Sequence, residues 1–401
     1  MTTTEPLAET ARLRSGEKPD TTSLSGARVT NPKVALASVG LGRFRRGYER
    51  YFSDLFEVLR QELDVTLYKG AGPPSEGQRV PPLFGPVSRA TKLLPLGRVG
   101  AEYAHYKHEC LAFAISLLPD LLTRGFDVLH VIDYPLERAL DVLQRTTRFR
   151  TRLLFTNGMG MPPQFYPRSA HVHHVARSWH EEALLDGFPP SRVSMIPCGI
   201  RSSDFEVSES RAALRRKHGV SDDVFIILAV TAVKRAHKRV DHLIEEVSRL
   251  EGDVLLWIDG RPEDSTIPEL AREKLGSRCR ITYLRSEQVA ELYAVADVLV
   301  HGALDEVFGL SVAEALSTGL IVLTHDSPHF EWLLGNRRFC VDMTAPGALA
   351  ARLREVMVER DELSRHAAER ALSIRRRFDW QALQPAYLDM YRRVAGMGET
   401  R

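Results

Sequence analysis

Two glutamates that flank a Phe-Gly pair carry the strongest chemical signal in the sequence. Between Glu306 and Glu314 lie seven residues, among them Phe308, Gly309, Leu310 and Ser311. Glycine lets a ligand approach the backbone closely, and the first amide groups of a helix bind phosphate. Glu314 is placed to accept both hydroxyls of a ribose, and Glu306 to bind sugar hydroxyls. An acidic helix cap is the alternative, but the spacing around Phe-Gly favours a ligand site.

A basic segment between residues 231 and 239 is the second candidate. It follows an apolar run and contains Lys234, Arg235 and Lys238. If the segment is helical, Lys234 and Lys238 lie one turn apart on the same face. Cations at a helix start repel the positive end of the helix dipole unless a bound anion offsets them, so an anion-binding site is favoured over a solvated basic helix start.

Three other positions are weaker candidates. Asn157 precedes a glycine and can both donate and accept hydrogen bonds, so a ligand contact and a simple turn are equally supported. Arg285 follows a predicted strand and could lie at a ligand site or on the surface. The histidines at 171, 173 and 174 lie on the approach to a predicted strand, where a structural role is favoured over a metal site.

Several classes of protein are excluded or disfavoured. There is no P-loop motif, and Arg45 stands where a dinucleotide fingerprint would have its third glycine. With 54 basic and 52 acidic residues the net charge is +2, which disfavours a dedicated nucleic-acid binder. Four scattered cysteines fit a reducing compartment. No apolar run is long enough to span a membrane, and no secretory signal is visible, so a cytoplasmic location is expected.

Predicted strands and helices, which could position these residues, alternate along the chain. Apolar runs predict strands at residues 34–37, 65–68, 127–132, 153–155, 174–176, 193–196, 225–230, 254–258, 281–284, 298–301 and 320–324. Helical segments lie between them, and residues 70–86 are expected to form an irregular loop. This alternation predicts two doubly wound, Rossmann-like α/β domains with parallel sheets, which face each other across a cleft.

The domain boundaries are predicted from composition and from this alternation. Residues 1–32 are polar and charged and are expected to form a disordered arm. Residues 33–200 form the first domain, on the acceptor side of the cleft, and residues 201–378 the second, which binds the ligand. Residues 379–401 form a final helix that returns to the first domain.

The glutamate motif resembles the signature of retaining glycosyltransferases of family 4, which have the GT-B fold. The resemblance covers most of the chain beyond the arm. Other matching segments are Gly47-Tyr48-Glu49 at a helix start, residues 176–200 between the domains, residues 293–298 before the motif, and Phe378-Asp379-Trp380. The resemblance implies that a hexose is transferred from a nucleotide-diphosphate sugar to a hydroxyl acceptor. UDP is the default because the family uses it most.

The resemblance also assigns roles. Glu306, Lys238 and Lys234 are implied as catalytic, with Lys238 matching the family lysine. Thr231-Ala232 replaces the family's Gly-Arg, so Lys234 and then Arg235 are the candidates for the second cation. The implied donor-binding residues are Glu314, Phe308, Gly309, Leu310, Ser311, Arg285, Gly47, Arg235 and Asn157. Front-face substitution assisted by the leaving phosphate is implied, with no metal and no cofactor.

Two other functions and several partners stay open. A sugar-nucleotide epimerase would use Glu306, His325 and His329 as acid–base groups. A non-catalytic nucleotide-sugar-binding partner would explain the altered basic motif. The acceptor, which could be a saccharide, a natural product or a lipid-linked molecule, is expected at the loop of residues 70–98. The basic residues 43–46 could meet an anionic ligand or a membrane surface, although a solvated loop is the commoner explanation.

Overall fold

The computed structural model describes residues 31–43, 47–91 and 101–397. The proposed arm, apart from its last two residues, lies outside the described residues. So do residues 44–46 of the basic cluster, residues 92–98 of the expected acceptor loop and the last four residues of the chain.

The first domain is built on a parallel sheet of seven strands in the order β3-β2-β1-β4-β5-β6-β7. The strands are β1 Val34–Ser38, β2 Val65–Lys69, β3 Gln78–Arg79, β4 Val128–Val131, β5 Arg152–Thr156, β6 His171–His174 and β7 Val193–Met195. Helices of this domain are α1 Gly47–Leu59, α2 Phe84–Thr91, α3 Ala101–Thr123, α4 Tyr134–Thr147 and α5 Arg177–Leu185. All five residues of β1 are buried, as a central strand covered on both faces requires.

The second domain has a parallel sheet of six strands in the order β10-β9-β8-β11-β12-β13. The strands are β8 Phe225–Val230, β9 Val254–Asp259, β10 Cys279–Thr282, β11 Val298–Val300, β12 Ile321–His325 and β13 Cys340–Val341. Its helices are α6 Arg211–Lys217, α7 Val240–Ser248, α8 Ile267–Leu275, α9 Ser286–Val295, α10 Leu310–Ser317, α11 Pro328–Leu334, α12 Ala348–Arg365 and α13 Ala367–Phe378. The final helix is α14 Trp380–Val394. The prediction of two Rossmann-like parallel-sheet domains is confirmed.

The strand order reverses at the centre of each sheet. In the first sheet β1 and β4 are neighbours, and in the second sheet β8 and β11 are neighbours. In doubly wound sheets the loops at such a reversal diverge to opposite faces and leave a crevice at the carboxyl ends of the strands. The loops after β8 and β11 contain the basic segment and the glutamate motif, so strand order brings the two strongest sequence signals together.

The chain passes between the two sheets twice, and the two passages lie side by side. The amide of Ile200 donates to the carbonyl of Phe378 at 2.8 Å, and the amide of Trp380 donates to the carbonyl of Ile200 at 3.1 Å. Helix α14 then packs on the first domain, where the Tyr391 hydroxyl lies 2.6 Å from Nδ1 of His130 in β4.

Two predictions about local structure in the first domain are wrong. Residues 70–86 include the short edge strand β3, which pairs with β2, and the start of α2. Two polar strand residues give no apolar run, so the pattern could not show them. The strand predicted at residues 174–176 is β6, His171–His174. Its histidines are strand residues, because β6 pairs with β5 on one side and β7 on the other. The His173 ring lies 2.9 Å from the Thr156 hydroxyl and 2.9 Å from the Ile196 carbonyl.

No helix in the described ranges is long and apolar enough to cross a lipid bilayer.

Candidate functional site

The centre of the site is a contact between Lys238 and Glu306. Lys238 follows β8 and Glu306 follows β11, and Nζ of Lys238 donates to Oε1 of Glu306. His301, the residue directly after β11, lies with Nε2 3.1 Å from the same oxygen. The Glu306 side chain is only 12% exposed, so two donors hold this carboxylate in a largely desolvated position.

The ionisation of Glu306 is set by these two neighbours. Burial opposes the charged form, but the hydrogen bonds and charges of His301 and Lys238 outweigh burial and hold the pKa of this carboxyl well below its usual range. Glu306 is therefore a carboxylate at neutral pH. It can accept hydrogen bonds from hydroxyls, and it cannot supply a proton.

The basic segment is not helical, which corrects the expectation for Lys234 and Lys238. Helix α7 begins only at Val240, and before it His237 and Arg239 have positive φ values of 67° and 49°. Such a backbone is uncommon outside glycine and is typically maintained where function requires it. The turn directs Lys238 towards the loop after β11.

The other two cations of the segment do not reach Glu306. Nζ of Lys234 lies 2.9 Å from Oε2 of Glu263. Arg235 lies 3.3 Å from Asp241. Of the three predicted basic residues, the structure brings only Lys238 into the site.

Helix α10 begins directly after the Phe-Gly pair. Gly309 precedes it with a φ of +93°, a conformation that suits glycine, and no side chain caps the helix. The first helical hydrogen bonds run from the amides of Val312 and Ala313 to the Gly309 carbonyl. The amide groups of Leu310 and Ser311 thus form the first turn of α10, where partial positive charge accumulates.

Helix α1 of the first domain meets this end of α10. A Cβ atom at Gly47, the first residue of α1, would lie 3.4 Å from Cδ1 of Leu310. Two helix N-termini therefore approach each other across the cleft. Their dipoles both favour an anion between them.

Phe308 supports the loop and does not line an open site. The residue is buried, and its ring packs edge to face against Phe378 with centroids 5.6 Å apart. Its carbonyl oxygen lies 3.1 Å from Nε2 of His329. The Phe-Gly pair therefore anchors the motif in the core of the second domain and sets the start of α10.

Glu314 lies one turn into α10 and is nearly buried. Its Oε2 accepts a hydrogen bond from the Tyr293 hydroxyl at 2.9 Å, and its Oε1 lies 2.9 Å from Nη1 of Arg50. Arg50 belongs to α1 of the first domain. Glu314, the carboxylate predicted to bind ribose, thus forms an ion pair with an arginine on the other side of the cleft.

Sequence reasoning missed three residues of this site. His301 could have been found, because it ends a strand whose following loop carries the glutamate motif. Arg50 and Tyr293 lie within helices α1 and α9, and only the contacts of these helices with α10 show that they reach Glu314.

Two predicted donor-binding residues are not brought to Glu306. Oδ1 of Asn157 accepts from the Met161 amide at 2.9 Å, and its Nδ2 donates to the Met161 carbonyl at 3.1 Å and to the Tyr166 hydroxyl at 3.2 Å. These local hydrogen bonds favour the interpretation of Asn157 as a turn residue. Arg285 is exposed at the start of α9, beside the edge strand β10.

His325 and His329, proposed as acid–base groups of an epimerase, form hydrogen bonds with backbone groups. Nδ1 of His325 accepts from the Met343 amide at 3.2 Å, and burial lowers the pKa of His329. Across the described part of the chain, no group of three or more His, Cys, Asp or Glu side chains is arranged to hold a metal ion.

The second domain resembles a known protein family. Residues 210–373 match the family model described as "Glycosyl transferases group 1". The lipopolysaccharide glucosyltransferase WaaG of Escherichia coli is 33% identical over 143 residues, which cover 34% of this chain. The aligned region spans 38% of that relative's own length. These matches support a group 1 glycosyltransferase.

Solved structures match both domains. The sucrose-phosphate synthase of Thermosynechococcus elongatus has a TM-score of 0.72 at 18% identity, covering 91% of this chain and 99% of that one. Anabaena Alr3699/HepE, solved in complex with UDP, has a TM-score of 0.68 at 14% identity, covering 89% and 99%. At these identities the likeness shows the fold, and it confirms the predicted GT-B architecture.

Proposed function

We propose that this protein is a retaining glycosyltransferase of family 4 that moves a hexose from a nucleotide-diphosphate sugar to a hydroxyl acceptor. The observation that carries the proposal is the convergence of Lys238, Glu306 and the N-terminus of α10 at the strand-order reversal of the second sheet. A cation, a hydroxyl acceptor and a helix start at this place suit a sugar joined to a diphosphate.

The leaving group of the reaction is the nucleoside diphosphate. As the bond between the anomeric carbon and the phosphate oxygen breaks, negative charge grows on that oxygen. Lys238 leaves Glu306 to bind the diphosphate, and the first amides of α10 stabilise the same charge. These groups supply positive charge in the cleft, which supports a mechanism without a metal.

The retained configuration follows from attack on the face that the diphosphate leaves. The acceptor oxygen bonds to the anomeric carbon, and its proton passes to the departing phosphate oxygen. Glu306, held as a carboxylate, orients the sugar through its hydroxyls and forms no bond to carbon. Closure of the cleft excludes water and protects the donor from hydrolysis.

UDP is the nucleotide we propose, because the structurally similar Alr3699/HepE was solved with it. The acceptor is proposed to bind in a cavity of about 570 Å³ in the first domain, at the carboxyl ends of β1 and β2. Apolar Val80, Pro81 and Pro82 line one wall, and the ion pair between Arg43 and Glu109, 2.7 Å at its shortest, lies at another. Catalysis in the cytoplasm is part of this proposal.

The test begins with thermal shift against UDP, GDP, ADP and dTDP, because a ligand that prefers the folded state raises the melting temperature. Donor turnover is then compared in wild type, Glu306→Ala and Lys238→Ala. Lys274→Ala is the matched control, since Lys274 lies at the surface of α8 beside Glu245.

Loss of turnover in both site variants, with folding intact and the control unaffected, supports the enzyme. Equal turnover in all four proteins contradicts it. Nucleotide binding without turnover by any protein would instead favour the non-catalytic sugar-nucleotide-binding function. Retention is checked by NMR, which reads the anomeric configuration of the first product formed.

A further inference from the structure

Glu314 has a partner that its proposed role does not explain. Arg50 lies one turn into α1 and Glu314 one turn into α10, and the N-termini of these helices meet at Gly47 and Leu310. The ion pair therefore crosses the cleft just beneath the point where the two domains approach each other.

Both oxygens of Glu314 are engaged. Arg50 lies 2.9 Å from Oε1, and Tyr293 donates to Oε2 at 2.9 Å. The Glu314 side chain is 7% exposed, so with Arg50 beside it the carboxylate offers almost no free surface to two ribose hydroxyls. A ribose can reach this carboxylate only after the guanidinium has moved.

Other side chains remain close to the Arg50 guanidinium when it leaves Glu314. Its guanidinium lies 3.7 Å from Asp54, 3.9 Å from Asp204 and 5.5 Å from the ring of Phe205. It is also about one-third exposed, unlike Glu314. Breaking the pair with Glu314 thus leaves the arginine with acidic neighbours and does not strand a buried cation.

We propose that Arg50 is an autoinhibitory clasp, which occupies Glu314 across the cleft until the ribose of the donor nucleotide displaces it. The inference rests on the proposed donor site. Donor binding is coupled to the domain arrangement, because the same carboxylate either binds the first domain through Arg50 or binds the nucleotide. A ligand that competes with the clasp binds more weakly than it would to an open Glu314.

The experiment measures the Kd of UDP by calorimetry for wild type and Arg50→Met, which keeps the length of the side chain and removes its charge. The expected result is binding about two- to fivefold tighter in the variant, the range for removal of a competing, partly exposed ion pair. Arg50→Lys keeps the cation and should stay close to wild type. Arg60→Met is the matched control, because Arg60 pairs with Glu57 and Glu76 away from the cleft.

A coupling measurement separates the clasp from a general effect on folding. In a Glu314→Gln background the Arg50→Met change should no longer alter the Kd. If Arg50→Met does not fold, Arg50→Gln takes its place. Unchanged or weaker UDP binding in the uncharged Arg50 variants, with wild type binding UDP, overturns the clasp alone. No binding by wild type or by any Arg50 variant overturns the donor site and the clasp together.

Discussion

The contact between Lys238 and Glu306 predicts that one substitution will lower activity and stability for different reasons. Lys238→Met removes the positive charge that is proposed to stabilise the leaving diphosphate. It also removes one of the two donors that hold the Glu306 carboxylate, whose side chain is only 12% exposed.

The two effects have different expected magnitudes. Loss of one preorganised electrostatic contact in a transition state costs about 10²- to 10³-fold in kcat, which is about 3–4 kcal/mol. A buried acceptor left without a partner costs about 1–3 kcal/mol of stability. His301 still lies 3.1 Å from Glu306, so we expect the lower end of that range.

A double variant separates the two effects. In Lys238→Met/Glu306→Gln no uncompensated carboxylate remains, so the melting temperature should recover while activity stays low. Donor turnover and thermal melting are measured on both variants, with Lys274→Met as the surface control. The reasoning is refuted if Lys238→Met keeps full activity, or if the double variant is less stable than the single one.

Three further predictions concern other parts of the molecule. Burial raises the pKa of the Glu137 carboxyl on α4 to about 8. Between about pH 4.5 and 8 the folded state therefore keeps a proton that the unfolded state has released. The free energy of unfolding consequently falls as pH rises from 4.5 to 8. Urea unfolding of Glu137→Gln should remove that slope, worth about 3 kcal/mol between pH 5.5 and 9; a wild-type slope in the variant contradicts it. Burial lowers the pKa of His173 to about 3, so the unfolded state binds the extra proton and stability falls as pH drops from 6.5 towards 3. His173→Gln should lose less melting temperature than wild type between pH 7 and 4.5, and an equal loss argues against a neutral buried ring. Val80→Trp should fill part of the proposed acceptor cavity, lowering transfer to an acceptor while the Kd for UDP is unchanged; equal transfer would place the acceptor elsewhere.

Much of the fold was predictable because buried parallel strands are short apolar runs. β8, β9 and β11 all stood out in this way, and the turns and helices between them indicated a doubly wound topology. β3 and β6 did not, since an edge strand of Gln and Arg and a strand rich in histidine have no apolar pattern. Their strand character depends on neighbours that the local sequence does not contain.

The site was predictable only in part for the same reason. Glu306, Glu314 and Lys238 were recognised from residue type, spacing and resemblance. Helical spacing from Lys238 also points to Lys234, but the backbone turns through His237 and Arg239. A local pattern cannot show such a turn, which is maintained by packing against the loop after β11.

By itself, the sequence determined two α/β domains and placed the chemical groups in loops at the carboxyl ends of strands. The tertiary structure decided which of those groups meet. The pairing of β8 with β11 brings Lys238 to Glu306, and the approach of α1 to α10 brings Arg50 to Glu314. The physical reason is that strand order and domain packing bring together residues far apart in the chain, and electrostatic contacts depend on distance in space.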